Sequence, residues 1–161
     1  MTLENNTARE LFRHTLATLA YRGGKTLRGA SADFAQFRAG EHSRTPLEIL
    51  AHIGDLLQWV LSIAKGNEEW NKADPRTWDQ EVARFYANLR AFDDYLASTE
   101  PLGYSPQQLF QGAIADALTH VGQLAMLRGL AGDPVRGENY FVADIVTGRV
   151  GAEQSAPRFE V

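Results

Sequence analysis

The 161-residue sequence contains no cysteine. Disulfide bonds, thiolate nucleophiles and cysteine-ligated zinc or iron–sulfur sites are therefore excluded. A metal ion bound by this chain would have to take nitrogen and oxygen ligands.

The sequence also has no excess of basic residues, since 16 lysines and arginines face 20 aspartates and glutamates, for a net charge of −4. Binding to nucleic acid or to an anionic membrane requires concentrated positive charge, so neither partner is expected. The basic residues of the first 28 positions form no stripe with interleaved aromatics, and we expect them to lie on solvated surfaces. They are Arg9, Arg13, Arg22, Lys25 and Arg28.

The sequence also shows no pattern typical of a signal peptide or of a membrane span. The amino terminus has no basic segment followed by an apolar one, as a signal peptide would. No stretch approaches 18 apolar residues without a charge, which argues against a membrane span. These features predict a cytoplasmic protein.

Helical periodicity runs through most of the chain. Start signals are clear at Thr45-Pro46, with Glu48 completing a capping box, and at Ser105-Pro106. Gly23-Gly24 and Gly66 are interpreted as stop signals for the helices before them. The four predicted helices cover approximately residues 5–21, 45–66, 75–98 and 105–131.

These patterns predict a single all-α domain over residues 1–161, folded as a four-helix bundle of up-down or crossover topology. The connection after the first helix is long, with a short helical turn expected near 33–37. The last 27 residues carry no sustained periodicity. We expect them to form an irregular tail whose apolar residues, including Tyr140, Phe141, Val142, Ile145 and Val146, pack on the bundle.

Polar residues on two of the helices suggest a site. Asp116 and His120 are four residues apart and project within about 40° of each other on a helix. His52 lies at the edge of the apolar face of the second helix. Two imidazoles and one carboxylate from facing helices are a typical way to bind one metal ion in a bundle. Taken singly, a structural histidine and a surface ion pair would explain the same residues, and spacing alone leaves both interpretations open.

The segments RTPLEILAHIGDLLQW and DALTHVGQLAMLRGLAGDP resemble the DinB/YfiT-like superfamily of bacterial four-helix-bundle proteins. The resemblance spans essentially the whole chain in helix number and order. It matches His52 to the first metal ligand of that family and His120, directly before Val-Gly-Gln, to the last. The family usually has histidine where this chain has Asp116.

The resemblance implies a divalent-metal site of His52, Asp116 and His120. Its ligand types suit Zn, Ni, Fe or Mn. It also implies a small-molecule substrate, a homodimer, and activity as a thiol-dependent transferase or a hydrolase. No catalytic base is evident; Glu48, Asp55, Tyr21 and Tyr140 are the available candidates. The alternative is a non-catalytic dimeric bundle in which the three residues form a structural polar cluster.

Overall fold

The computed structural model describes residues 3–161 and shows a helical bundle in this part of the chain. Its elements are α1 (Leu3–Leu27), a 3₁₀ turn (Ala32–Gln36), α2 (Pro46–Ala64), α3 (Trp78–Ala97), α4 (Pro106–Leu109), a π-helical segment (Phe110–Ile114), α5 (Ala115–Leu130) and a second 3₁₀ turn (Tyr140–Val142). Since α4, the π segment and α5 are continuous, they form the fourth helix of the bundle. The all-α prediction is confirmed for the described residues.

The predicted stop at Gly23-Gly24 is wrong, because α1 continues through both glycines to Leu27. A Cβ atom at Gly23 would lie 2.7 Å from the ring of Phe85, and one at Gly24 would lie 2.7 Å from the hydroxyl of Tyr86. The two glycines therefore allow α3 aromatic rings to contact the α1 backbone. They do not end the helix.

Helix α2 packs against both α3 and α5, as α1 does. Its start follows the predicted capping box, in which Thr45 and Glu48 exchange side-chain to backbone hydrogen bonds. By length and a mean hydropathy of 1.4, α2 is the one helix among the described residues that could cross a membrane. However, 61% of that window is buried inside the bundle. Its apolar character therefore fits a core helix.

A π-helical segment interrupts the fourth helix at Phe110–Ile114, directly before Asp116. A π turn contains an extra residue, so the helix face changes register across it. The periodicity of an uninterrupted α-helix does not describe this shift. The segment sets which residues of α5 are directed toward α2.

The expectation that the amino-terminal basic residues are solvated is wrong for two of them. Arg9 is 3% exposed and donates hydrogen bonds to the carbonyl oxygens of Leu96 and Ser98 at the end of α3. Lys25 is buried beside the fully buried carboxylate of Glu138, with 2.8 Å between Nζ and Oε2. Both residues join distant segments of the chain.

Polar contacts with α1 hold the start of the carboxy-terminal tail, as the ion pair between Lys25 and Glu138 shows. Glu138 also accepts a hydrogen bond from the hydroxyl of Tyr21. Phe141 is 95% exposed, so the expected packing of the apolar tail residues on the bundle is wrong for this side chain. Val146 is exposed as well, whereas Val150 is buried in the core at 3% exposure.

A buried ionic cluster connects α2, α3 and the loop of residues 65–77. The guanidinium of Arg84 on α3 forms ion pairs with Asp55 of α2 and with Glu81, 3.3 Å away. Asp55 also accepts a hydrogen bond from the backbone N–H of Ala73, and Glu81 accepts one from Arg76. One arginine thus pairs with two buried carboxylates that hold the loop in place.

Replacing Arg84 by methionine should lower the free energy of unfolding by about 3–5 kcal/mol, because two buried carboxylates would lose their counter-ion. Urea denaturation measures the change. Arg90→Met, at an exposed position of the same helix, is the matched control and should stay within about 0.5 kcal/mol of the parent. Equal stability of the two variants would contradict the assigned role of Arg84.

Candidate metal centre

The three predicted ligands come together between α2 and the start of α5. His52 projects from the middle of α2, while Asp116 and His120 project from the first two turns of α5. One potential ligand atom from each residue lies within 4.8 Å of the other two. The group could hold a metal ion, as the sequence suggests.

The distances inside this group are longer than those of strong direct hydrogen bonds. His52 Nε2 lies 3.5 Å from Asp116 Oδ2, and His120 Nε2 lies 3.4 Å from Asp116 Oδ1. A charge-assisted N–H to carboxylate bond is shorter, about 2.7–2.9 Å. Two donor atoms that each lie about 2.1 Å from one ion are about 3.0–3.4 Å apart at octahedral to tetrahedral angles. The two observed distances are close to this range, but they involve different oxygens of the Asp116 carboxylate.

The three side chains differ in exposure. The side chains of His120 and His52 are 11% and 24% exposed, whereas that of Asp116 is 45% exposed. All three line a pocket of about 580 Å³. Asp116 is thus not a buried carboxylate on an apolar helix; it lies at the solvent side of the site, where its charge remains hydrated.

The ring of His120 is oriented by a neighbour on its own helix. Its Nδ1 lies 2.7 Å from the Oε1 of Gln123, three residues further along α5. With Gln123 accepting, Nδ1 carries the proton and Nε2 has its lone pair free toward Asp116. A hydrogen bond to the second ring nitrogen is the usual way in which proteins fix a metal-binding histidine.

The ring of His52 is instead held by aromatic contacts. It packs edge-to-face on His120, with ring centroids 4.9 Å apart, and on Trp70, with centroids 6.0 Å apart. Trp70 belongs to the loop of residues 65–77 and packs in turn on Trp59 of α2. The loop that is held by Asp55 and Glu81 therefore also contacts the candidate site.

Burial lowers the pKa of His52 below its ordinary 6.5, and the positive charges of His120 and Arg44 lower it further. The carboxylate of Asp116 opposes this shift. The neutral imidazole, which is the form that binds metals, is thus favoured at neutral pH.

The four candidates for a catalytic base occupy structural positions. Glu48 belongs to the capping box of α2, and Asp55 is paired with Arg84. Tyr21 donates its hydroxyl hydrogen bond to Glu138, and the ring of Tyr140 lies under the guanidinium of Arg22. Among the described residues, none of the four forms a hydrogen bond or ion pair with a candidate ligand, although Glu48 and Asp55 line a smaller pocket together with His52.

Two features of the site were missed by the sequence analysis. Gln123 follows His120 by three residues, a spacing that places side chains together on a helix and could have indicated the contact. Trp70 has no such local signal, since it reaches His52 only through the fold of the loop.

No protein-family model, curated protein or solved structure matches this chain. The resemblance to the DinB/YfiT-like superfamily therefore stays a prediction.

Replacing Gln123 by leucine should weaken metal binding about 10- to 100-fold, because the ring of His120 loses the group that fixes its tautomer. Gln123→Glu should retain binding, since a carboxylate accepts the same hydrogen bond. Isothermal titration with Zn(II) measures the affinities. Thr119→Ala, at an exposed position of the same helix, is the control. An unchanged affinity in the leucine variant would remove Gln123 from the site.

Without added metal, the NMR titration of His52 should have its midpoint below 6.5, as burial and neighbouring charge lower its pKa. His120→Gln should raise the midpoint by removing one positive neighbour, and Asp116→Asn should lower it by removing the opposing carboxylate. The unfolded chain binds the proton at higher pH than the folded one. The contribution of His52 to stability is therefore lost as the pH falls below 6.5 toward the folded-state midpoint. Shifts of the opposite sign would contradict the assigned contacts.

Proposed function

We propose that His52, Asp116 and His120 bind one divalent metal ion. The observation that carries this proposal is the convergence of the three side chains, whose potential ligand atoms lie within 4.8 Å of one another. The Nε2 atoms of His52 and His120 lie 3.5 and 3.4 Å from the two different oxygens of the Asp116 carboxylate, which is long for direct ion-paired hydrogen bonds. The hydrogen bond from His120 to Gln123 leaves Nε2 of His120 unprotonated, and the lowered pKa of His52 favours its neutral imidazole; both support the same conclusion.

The donor set restricts the choice of ion. Two imidazoles and one carboxylate suit Fe(II), Mn(II), Ni(II) and Zn(II). Compared with three neutral imidazoles, the carboxylate makes the site more negative by one charge. This favours harder ions than an all-histidine site would bind.

We further propose that the protein is a metal-dependent enzyme of the DinB/YfiT-like superfamily, acting on a small molecule as a thiol-dependent transferase or a hydrolase. Three protein ligands leave coordination positions open, an arrangement typical of catalytic sites. A bound divalent ion would supply Lewis-acid polarisation of a substrate atom. The protein supplies the orientation of both histidines and a pocket of about 580 Å³ on the solvent side of Asp116. That volume is within the usual range for small-molecule sites.

The competing proposal is a non-catalytic dimeric bundle in which the three residues form a structural polar cluster. A structural cluster gains from short, buried hydrogen bonds that satisfy its groups. Here Asp116 is nearly half exposed and lies more than 3.3 Å from either histidine nitrogen. This geometry favours the metal site.

Elemental analysis of protein purified without a histidine tag separates the two proposals: about one metal per chain is expected, and a stable metal-free dimer would favour the structural one.

Variants of Asp116 test its role as a ligand. Asp116→His should retain binding and shift the preference from Mn(II) toward Zn(II), because imidazole is the softer ligand. Asp116→Ala should bind much more weakly. In the parent, metal at a hundredfold excess over its Kd should stabilise the fold by about 2.7 kcal/mol, and chelator should reverse this. Thermal denaturation and competition titration provide the measurements, with circular dichroism to confirm folding. Parent-like affinity in the alanine variant would overturn the site assignment.

A further inference from the structure

We propose that Arg44 binds a carboxylate group of the substrate while the metal centre binds a second part of the same molecule. The substrate would then be a small carboxylic acid with a short apolar body. This inference rests on the proposed metal site and adds the chemical class of its substrate.

The position of Arg44 is the first support. It lies directly before Thr45, the buried N-cap residue of α2, so its backbone is fixed at the end of a core helix. Arg44 lines the pocket of about 580 Å³ that contains the three candidate ligands. It also lines an adjacent pocket of about 220 Å³ between His52 and residues 72–75. Its charge acts on His52, which places it within electrostatic reach of the site.

The second support is that the guanidinium of Arg44 is available. Within residues 3–161, it forms no hydrogen bond and no ion pair with a carboxylate. The nearest acidic side chain along the helix, Glu48, accepts a hydrogen bond from the backbone of Thr45 and pairs instead with Arg38 at 3.6 Å. Among the residues that line the larger pocket, Arg44 is the one permanent cation.

Charge and surface chemistry then define the ligand. With a divalent ion and one carboxylate ligand, the centre has a net charge of +1, and Arg44 adds another positive charge. The pocket therefore favours an anion although the whole chain is acidic. A single guanidinium matches the two oxygens of one carboxylate. The remaining wall of the pocket is largely apolar and suits a short hydrocarbon segment; it includes Ala39, Ile49, Met126 and Leu127.

The test compares two hydroxamates of similar length on cobalt-loaded protein. Succinic monohydroxamate carries a carboxylate at the end remote from its metal-binding group, and butyrohydroxamate does not. Cobalt stoichiometry is measured first, and the binding of each probe is then followed by calorimetry and by the visible spectrum of Co(II). The malonic and glutaric homologues cover shorter and longer distances between the two groups.

The parent should bind the best carboxylate probe about tenfold more tightly than its neutral counterpart, as expected for one charge-assisted, two-point contact. In cobalt-saturated protein, Arg44→Gln should abolish this ratio, because the two probes then differ by a carboxylate that has no partner in the pocket. Arg44→Lys should keep part of it. Arg38→Gln, a neighbouring exposed arginine that does not line the pocket, is the control and should keep the full ratio.

Equal affinity for charged and neutral probes at every length would overturn the role of Arg44, as would a ratio that survives in Arg44→Gln. Both outcomes leave the metal proposal intact. Protein that binds no cobalt would instead overturn the metal proposal, and the substrate inference with it.

Discussion

The guanidinium of Arg84 organises the side of the bundle that carries the candidate site. It lies between two buried carboxylates, Asp55 and Glu81, and so close to α2 that a Cβ atom at Gly54 would be 2.9 Å from Nη1. A larger residue at this position would displace the guanidinium, which gives Gly54 a packing role in the segment around His52. Because the two carboxylates also accept hydrogen bonds from residues 73 and 76, one charge fixes two helices and a loop.

This ionic cluster is connected to the site through the loop of residues 65–77. The loop brings Trp70 against the ring of His52, and Trp70 is supported by Trp59. His52 and His120 are therefore oriented in different ways, one by aromatic packing and the other by a hydrogen bond to Gln123. Contacts of both kinds orient the two imidazoles before a metal ion binds, which reduces the entropy cost of ordering them on binding.

Local signals in the sequence predicted the elements of the fold better than their ends. The capping box at Thr45 and the apolar periodicity of α2 depend on neighbours within one or two turns, so they are visible in one sequence. The continuation of α1 through Gly23 is different, because it depends on Phe85 of another helix. The burial of Arg9 and the exposure of Phe141 likewise follow from tertiary contacts that composition does not encode.

The same distinction applies to the site. The i, i+4 spacing of Asp116 and His120 and the location of His52 on an apolar helix indicated that the three residues could come together, and the family resemblance named them as one ligand set. The contact between Gln123 and His120 could have been predicted in the same way, since the two residues are about one helical turn apart. Trp70, Arg84 and the free guanidinium of Arg44 were not, because each depends on how a loop or a neighbouring helix packs.

The exposure of Asp116 gives the departure from an all-histidine ligand set a physical meaning. A third imidazole would be neutral and would leave a divalent centre with its full charge. The carboxylate removes one unit of that charge while remaining hydrated at the pocket surface, so little desolvation opposes it. The centre then attracts anions less strongly by itself, and the nearby charge of Arg44 contributes a larger share of the attraction. In the proposed site, a carboxylate at one ligand position would thus link the chemistry of the metal ion to selection of a carboxylate substrate by a residue on a different segment.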